Sequence, residues 1–296
     1  MCLVTFAYRP ETRHPLVVAA NRDEYRDRPS AAVSLWPRAA DDGPAVTVAA
    51  GRDLRSGGTW LGVTSSGRFA ALTNISTAVV APPQTLHCEG GGPAAAPAAA
   101  QALAPLRTRG VLVRDFLEGS MRAETYAADV AARSSDFDGF NLVLYDGTSP
   151  VVYCTNRPGD GTEFRTRVLE PGVYGVANAE MLREPEWPKV RRSKTALDVL
   201  CRTGTHADSN RLLSLMTDRQ EAPDGELPNR GKTVKEERRL SPCFIAGGDY
   251  GTVNSTAVVF DAAVGKVHIT ERSFGPRGED GRVEFTMPLR HSLAPL

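Results

Sequence analysis

Short apolar runs separated by polar turns dominate the first quarter of the chain and predict paired β-strands. Residues 2–8 alternate in hydrophobicity and are rich in β-forming side chains, whereas residues 15–21 form the short apolar run expected of a strand buried on both faces. Residues 59–64 and 68–74 are separated by a compact turn in which Gly67 can adopt a positive φ. The four segments therefore predict two β-hairpins.

Helical periodicity begins after this region and alternates with further strands in blocks. Helices are predicted at 108–117, 121–133, 187–203 and 208–218, and the polar residues 219–239 predict a surface loop. Apolar runs predict later strands at 140–146, 151–156, 173–178, 243–248, 256–261, 266–274 and 282–288. Because strands and helices come in blocks, the pattern favours an α+β architecture with antiparallel sheets over a doubly wound parallel sheet.

Composition places the chain among ordinary globular proteins and gives no indication of a nucleic-acid partner. Of its 296 residues, 41% are hydrophobic, and 35 basic residues balance 35 acidic ones. No apolar run reaches the roughly 20 residues that a membrane span requires, and the N-terminus lacks the basic region of a signal peptide. We therefore expect one cytoplasmic domain over residues 1–296, with an Ala/Pro/Gly-rich surface loop at about 81–105.

Cysteine and histidine positions favour neither a disulfide framework nor a metal site. The five cysteines are widely spaced with no CxxC pair, and the five histidines form no pair at helical spacing. Glycine-rich dinucleotide and P-loop motifs do not occur either, so no cofactor is expected. The expected partner is a small-molecule substrate, and the sequence does not indicate an oligomeric state.

Cys2 is the residue whose position has the clearest chemical consequence. Methionine aminopeptidase generally removes Met1 when the second residue is small, and this would leave Cys2 with a free α-amine. That amine has a reference pKa of about 7.7–8.0, so it can serve as the general base for the thiol of its own residue. The simpler alternative is a small apolar residue at the start of an edge strand.

Polar residues end several predicted strands and are candidates for a site around Cys2. NRDEY at 21–25 follows a buried strand, where Asp23 could accept from the α-ammonium and Arg22 could stabilise a thiolate. Asn74 and Asn178 each end an apolar run, and an asparagine amide is a neutral donor suited to an oxyanion hole. Surface turns remain the alternative for all of these positions.

Several motifs, in order along nearly the whole chain, resemble the NRDE-motif family, also called the transport-and-Golgi-organization family. They are MCLVTFAY, NRDE at 21–24, GRDLRSGGTWLGVTSSGRFAALTN at 51–74, TRGVLVRDFL, DGFNLVLYD at 138–146, YGVAN at 174–178, EWPKV at 186–190 and GGDYGT at 247–252. The resemblance implies a four-layer αββα sandwich of the N-terminal nucleophile (Ntn) hydrolase type. Choloylglycine hydrolases and penicillin V acylases are the related enzymes.

The resemblance also assigns roles to residues. It implies that Cys2 is the nucleophile and that Arg22, Asp23, Asn74 and Asn178 complete the catalytic set. The family segments further make Asn21, Arg52, Trp60 and Asn141 candidate substrate-binding residues. The implied reaction is cleavage or transfer at a small-molecule or peptide-like amide through a Cys2 thioester, without a metal.

One departure and two other functions are weighed against this prediction. Members commonly carry Y-G-T-R-S-T-T near the C-terminal strands, whereas this chain has YGTVNSTAV, with Val253 where arginine is expected. A hydrolase fold retained only for binding is therefore one alternative. The other is a non-enzymatic haem or lipid/acyl-CoA carrier, because eukaryotic members are associated with such cargo.

Overall fold

A computed structural model describes residues 2–37, 46–75, 106–159, 162–181 and 186–290. The Ala/Pro/Gly-rich segment predicted as a loop at 81–105 lies outside the described residues. Two antiparallel sheets form the centre of the described structure. No helix among the described residues is long and apolar enough to cross a membrane.

The first sheet contains six strands: the first two and the last three of the described chain, and one strand between them in sequence. Its order is β10-β1-β2-β11-β12-β13, and every neighbouring pair is antiparallel. The hairpin predicted from residues 2–21 is confirmed, since Val4 pairs with Ala20 and Phe6 with Val18. The strands are β1 (Cys2–Tyr8), β2 (Leu16–Tyr25), β10 (Gly172–Val176), β11 (Tyr250–Asp261), β12 (Lys266–Gly275) and β13 (Gly278–Pro288).

The second sheet follows chain order without a crossover, β3-β4-β5-β6-β7-β8-β9, again with antiparallel pairing throughout. The second predicted hairpin is confirmed by the pairing of Leu61 with Ala71. The strands are β3 (Ser30–Pro37), β4 (Thr47–Asp53), β5 (Leu61–Thr64), β6 (Phe69–Asn74), β7 (Phe140–Tyr145), β8 (Val152–Thr155) and β9 (Arg165–Val168).

Helices cover the outer face of each sheet, so the described residues form four layers. Apolar side chains that alternate along the strands give each sheet two buried faces. The inner faces meet in one cluster that includes Phe6, Val18 and Phe69. The outer faces pack against α1 (Gly110–Glu118) and α2 (Ala123–Ala132) on the second sheet, and against α3 (Pro188–Arg202) and α4 (Ser209–Leu215) on the first.

The strand predicted at 243–248 is wrong, because other groups take the hydrogen bonds that a ladder would need. The Phe244 amide donates to Asp218, and the Ile245 amide donates to the hydroxyl of Thr252. Gly247 and Gly248 have positive φ angles of 73° and 69°, which end any extended run.

The loop predicted at 219–239 contains a helix, α5 (Val234–Arg239), after a 3-10 turn at Asp224–Glu226. Thr233 caps α5 by a capping box, because its side chain accepts from the Glu236 amide and the Glu236 side chain accepts from the Thr233 amide. Sequence analysis also missed β3, β4 and β9. The strand β4 ends in charged residues and β9 contains two arginines, so neither shows a clear alternation of apolar and polar residues.

Candidate active site

The N-terminal end of β1 pairs with the C-terminal end of β2, and this pairing places Cys2 beside the NRDE segment. Cys2 pairs directly with Arg22, and Leu3 with Asn21. The strand β2 continues through Tyr25, four residues beyond the predicted end, because β1 and β11 flank it on both sides. NRDE is therefore part of a central strand and not a surface turn.

Because successive side chains of a strand point to opposite faces, Arg22 and Asp23 lie on opposite faces of the first sheet. Arg22 lies between the sheets, where its guanidinium carbon is 4.3 Å from the ring centroid of Trp60 and its Nη1 donates to Ser30 at 3.2 Å. Its Nη2 lies 3.9 Å from carboxylate oxygens of both Glu24 and Asp53. Arg22 is thus held by an aromatic ring and two carboxylates, and it is itself only 6% exposed.

Asp53 anchors this charged group from the second sheet. Arg28 donates to it through Nε at 2.7 Å, and the amides of Arg55 and Ser56 donate to its other oxygen. Partial burial opposes ionisation of Asp53, but the hydrogen bonds from Arg28 and the two amides hold its pKa below the ordinary value. The carboxylate is therefore available as a counter-charge for two arginines.

Asp23 lies on the helix side of the sheet, away from Arg22. Thr252, its neighbour on β11, donates to Asp23 Oδ1 at 2.6 Å. Burial raises the pKa of the Asp23 carboxyl, and both the ammonium of Lys189 on α3 and the Thr252 hydrogen bond act in the opposite direction. Asp23 is 3% exposed and lies on the face of the first sheet that α3 and α4 cover.

Asn178 ties the start of β1 to the second sheet. The backbone nitrogen of Cys2 donates to Asn178 Oδ1 at 3.2 Å, and Asn178 Nδ2 donates to the Asn74 carbonyl at 2.6 Å. Within the described residues, the side chain of Asn74 makes no hydrogen bond, although it lines the cavity beside Cys2. Asn74 is therefore the amide of the two that is available to a bound molecule.

A buried polar network holds the chain around Asn178. Thr73 donates to the Ala177 carbonyl, and Asn141 Nδ2 lies within hydrogen-bond distance of the Ala177 carbonyl at 3.2 Å and the Ala179 carbonyl at 2.9 Å. Tyr153 donates to Asn141 Oδ1 at 2.7 Å. These contacts fix the segment 177–179 against the ends of β6 and β7, so the position of Asn178 is determined by packing between the two sheets.

Two cavities meet at this point. The smaller, which we call the Cys2 cavity, has a volume of about 100 Å³ and is lined by Cys2, Arg22, Glu24, Arg28, Asp53, Ser56, Thr59, Trp60, Leu72, Asn74, Thr108, Arg109 and Gly110. The larger, which we call the α5 cleft, has a volume of about 580 Å³ and is lined by Asp23, Glu24, Tyr25, Asn74, Asn178, Lys232, Glu236, Arg239, Leu240, Gly248, Asp249 and Tyr250. Glu24 and Asn74 line both.

Charges around Cys2 act on its thiol in opposite directions. Burial raises the pKa of the Cys2 thiol, as does the Asp23 carboxylate, whereas the Arg22 guanidinium lowers it. Arg109, at the start of α1, lies half-buried in the same cavity and donates to the Gly139 carbonyl at 3.0 Å. Burial lowers the pKa of Arg109, but arginine stays protonated across the physiological range.

The structure brings together six of the nine residues predicted from the sequence: Cys2, Arg22, Asp23, Asn74, Asn178 and Trp60. The other three lie elsewhere. Asn21 Nδ2 donates to the carbonyls of Met216 and Cys243, and Asn141 belongs to the network around Ala177. Arg52 is exposed on β4, with its guanidinium 4.2 Å from the ring centroid of Trp36. None of these three lines either cavity.

Sequence analysis missed four charged residues that line the Cys2 cavity: Glu24, Arg28, Asp53 and Arg109. The positions of Arg28 and Asp53 carried one signal, since each lies within a few residues of the NRDE or GRDLRSGGTW motif. Arg109 lies in TRGVLVRDFL, another of the family motifs, but the motif does not reveal that the start of α1 lines the Cys2 cavity.

Val253 occupies a β-bulge in β11. Thr252 pairs with Asp23 and Asn254 with Arg22, so Val253 is the additional residue between two regular pairs. Asn254 is therefore the residue of β11 that pairs with Arg22, and its Nδ2 donates to the Ser273 hydroxyl at 3.2 Å. Val253 lines a separate cavity of about 330 Å³ that it shares with Arg26 and Arg28.

The described histidines lie away from both cavities. His14 and His206 share a hydrogen bond of 3.0 Å, and His268 shares one with Thr286. Within the described ranges, no three His, Cys, Asp or Glu side chains converge as a set of metal ligands. The groups that line the two cavities are thus a thiol and its neighbouring nitrogen, amides, carboxylates, guanidinium groups, hydroxyls and the Lys232 ammonium.

Comparison with known proteins agrees with the family resemblance. The family model described as Transport and Golgi organisation 2 matches residues 1–276. A Transport and Golgi organization protein 2 homolog from Bos taurus is 29% identical over 287 residues, which cover 92% of this chain and 93% of the relative. A Transport and Golgi organization 2 homolog from Mus musculus is 27% identical over 305 residues, which cover 97% and 99%.

A solved structure extends the comparison to the fold. The mutant C2A conjugated bile acid hydrolase from Clostridium perfringens superposes with a TM-score of 0.52 at 8% identity, covering 99% of this chain and 94% of that one. At this identity the similarity shows the fold alone. It confirms the predicted four-layer αββα sandwich of the Ntn-hydrolase type.

Proposed function

The chain belongs to the Transport and Golgi organisation 2 family, and we propose that it is a cysteine Ntn amidohydrolase or acyltransferase. Its substrate would be a small-molecule or peptide-like amide, and the reaction would pass through a thioester on Cys2. The observation that carries this proposal is the arrangement at Cys2. Its nitrogen donates to Asn178, and its residue lines a cavity together with Arg22 and Asn74.

Removal of Met1 converts the nitrogen that Asn178 holds into the α-amine. With a reference pKa of about 7.7–8.0, this amine accepts the thiol proton near neutral pH. The thiolate then attacks the amide carbonyl, and the protonated amine returns its proton to the leaving nitrogen. Water or a second amine resolves the thioester, which gives hydrolysis or acyl transfer respectively.

Asn74 and the charges between the sheets supply the remaining functions. The free side chain of Asn74 is a donor for the oxyanion that forms when the thiolate attacks. Arg22, fixed over Trp60, favours the thiolate by its positive charge. The Cys2 cavity accommodates only a small polar group, so the bulk of a substrate would occupy the α5 cleft.

The fold supports the same class of chemistry. The solved protein that shares it is named a conjugated bile acid hydrolase, and its substitution C2A concerns a cysteine at position two. A hydrolase reaction at Cys2 is consistent with that name.

An activated aryl ester, such as p-nitrophenyl acetate, tests the proposal without knowledge of the substrate. We expect one acyl group per chain, located on Cys2 by peptide mapping and removed by hydroxylamine, as a thioester requires. Cys2→Ala should abolish this adduct, and Cys201→Ala, which removes a buried cysteine of α3, should not. An adduct that persists in Cys2→Ala, or a wild-type chain that neither forms the adduct nor releases p-nitrophenol faster than Cys2→Ala, would refute the proposal.

A further inference from the structure

Arg109 is a cation of the Cys2 cavity that the proposed mechanism does not use. The other two guanidinium groups that line this cavity, those of Arg22 and Arg28, already have carboxylates beside them. Glu24 lies 3.9 Å from Arg22 and 3.8 Å from Arg28. Asp53 lies 3.9 Å from Arg22 and 2.7 Å from Arg28. These four charges compensate one another, so Arg109 is the additional positive charge of the cavity.

The guanidinium of Arg109 keeps two of its three nitrogens free. Its Nη1 donates to the Gly139 carbonyl at 3.0 Å, whereas its Nε and Nη2 have no hydrogen-bond acceptor among the described residues. Burial lowers the pKa of Arg109, and the charge of Asp138 acts in the opposite direction without forming an ion pair with it. A half-buried guanidinium beside the nucleophile thus has unused donors.

The Nε and Nη2 groups of an arginine together match the two oxygens of a carboxylate. This protein uses them in that way elsewhere. Arg13 donates to Asp261 through Nε at 3.0 Å and through Nη2 at 2.7 Å. Arg238 donates to Asp224 at the same two distances. Arg109 therefore offers a carboxylate in the Cys2 cavity a pair of donors that no described residue occupies.

The start of α1, which carries Arg109, is fixed against the cavity wall by close backbone contacts. The Thr59 amide donates to the Gly110 carbonyl at 3.2 Å, and a Cβ at Gly58 would lie 2.6 Å from the carbonyl carbon of Gly110. Both Thr59 and Gly110 line the cavity. The helix has no acidic residue in its first turn, so the positive end of its dipole adds to the charge of Arg109.

The two cavities separate the two halves of an amide substrate. In the proposed reaction the nitrogen of Cys2 returns a proton to the leaving nitrogen, and Asn178 holds that nitrogen of Cys2. Asn178 lines the α5 cleft and not the Cys2 cavity, so the leaving amine belongs on the side of the cleft. The acyl group then occupies the Cys2 cavity, whose volume of about 100 Å³ has room for a short chain of a few non-hydrogen atoms.

We infer that Arg109 binds a carboxylate at the far end of the acyl group, and that the substrate is therefore a monoamide of a short dicarboxylic acid. This inference rests on the proposed function and names the substrate class of the same site. The acyl carbonyl lies beside Cys2 and Asn74, and the carboxylate lies against Arg109. A neutral acyl group of the same size leaves the guanidinium without a counter-charge, and this makes Arg109 a specificity-determining residue.

The first test compares two alkylating reagents of similar size in protein that has lost Met1. Iodoacetate carries a carboxylate where iodoacetamide carries an amide. Because both react with the same thiolate, a change in the pKa of Cys2 cancels in the ratio of their rates. Arg109→Gln removes the guanidinium. Arg107→Gln is the matched control, since it makes the same change at an exposed residue that does not line the cavity.

We expect the ratio of the iodoacetate rate to the iodoacetamide rate at Cys2 to fall about tenfold in Arg109→Gln. This is the low end of the effect of losing a hydrogen bond to a charged group. The ratio in Arg107→Gln should equal that of wild type. An arginine that only supports the fold around Gly139 would change both rates together and leave the ratio unchanged.

The second test measures protection of Cys2 from iodoacetamide by three small amides. Succinamate carries a carboxylate on its acyl part, 4-methylpentanamide has the same shape without the charge, and N-acetylglycine carries its carboxylate on the amine part. Succinamate should slow the alkylation of wild-type Cys2 saturably, and the other two should not at the same concentration. This protection should be lost in Arg109→Gln and kept in Arg107→Gln.

The outcomes distinguish this inference from the proposed function. If wild-type Cys2 is alkylated selectively, an unchanged reagent ratio in Arg109→Gln would overturn the role of Arg109 and leave the proposed function standing. The same holds if succinamate gives no protection, or less than either of the other amides. A wild-type Cys2 that reacts no faster than Cys201 would overturn the proposed function and this inference with it. If Arg109→Gln does not fold, the three amides on wild-type protein decide.

Discussion

The backbone nitrogen of Cys2 donates to Asn178 Oδ1 at 3.2 Å, and this bond joins the first residue of β1 to the segment after β10. The Nδ2 atom of the same Asn178 side chain donates to the backbone carbonyl of Asn74 at 2.6 Å. Both polar atoms of Asn178 are therefore used in holding the strand ends together. This leaves Asn74, which neighbours Asn178 across the site, to interact with a substrate.

Asn74→Ala should slow acylation of Cys2 by an activated ester by about 10²–10³, the usual cost of losing one oxyanion donor. Alkylation by iodoacetamide should be unchanged, because that reaction forms no oxyanion. Comparing the two rates on one variant separates oxyanion stabilisation from thiol activation. Asn229→Ala, a change in an exposed loop, is the control. Equal slowing of both reactions in Asn74→Ala would contradict the assigned role.

Glu271 should make the stability of the protein depend on pH. It is 1% exposed and accepts from the Val33 amide at 2.9 Å and from Thr256 at 3.2 Å. Burial raises its pKa from 4.5 to about 7. Because the folded pKa is the higher one, the native state binds more protons between these values, and the free energy of unfolding falls as pH rises through this window.

The expected loss from Glu271 is about 3 kcal/mol between pH 4.5 and pH 7. Urea unfolding of wild type and Glu271→Gln across this range measures it, since the variant lacks the titration and should become the more stable of the two as pH rises. Glu284→Gln, an exposed change on the neighbouring β13, should follow wild type. Parallel curves for wild type and Glu271→Gln would contradict the prediction.

Gly51→Ala should disturb the site from a distance. A Cβ at Gly51 would overlap the indole of Trp60 and lie 3.1 Å from the Ala31 carbonyl. Since Trp60 supports Arg22, we expect a loss of about 1–3 kcal/mol in stability and slower alkylation of Cys2. Gly225→Ala, where a Cβ meets open space, is the matched control. Unchanged Cys2 alkylation in folded Gly51→Ala would show that Trp60 does not position Arg22.

Local patterns predicted the parts of the site that lie on strand ends. Cys2, Arg22 and Asp23 come from one predicted hairpin, and Asn74 and Asn178 each follow an apolar run, whereas the family resemblance grouped the five as one catalytic set. The helix α5 was also predictable, because Thr233 and Glu236 have the spacing of a capping box. The apolar run at 243–248 predicted a strand, but the Ile245 amide donates to the Thr252 hydroxyl and not to a neighbouring strand. Periodicity does not reveal this hydrogen bond.

Contacts between layers could not be predicted in this way. Lys189 begins an amphipathic helix, where sequence favours a solvated lysine, and its burial follows from the packing of α3 on Gly175. The same holds for Arg109, which lines the Cys2 cavity because α1 packs on the second sheet. Asn141 lies within a family motif, but its side-chain amide donates to the backbone carbonyls of Ala177 and Ala179. No pattern in the sequence identifies these two partners.

The most direct test of the central claim is the intact mass of the natively expressed protein before and after brief, low-dose iodoacetamide at neutral pH. The account predicts that Met1 is absent and that one fast adduct forms, which peptide mapping places on Cys2. The buried thiols of Cys154 and Cys243 should react far more slowly, because burial raises the pKa of both. Retention of Met1, or a Cys2 that reacts no faster than Cys201, would contradict the claim that Cys2 is an activated N-terminal nucleophile.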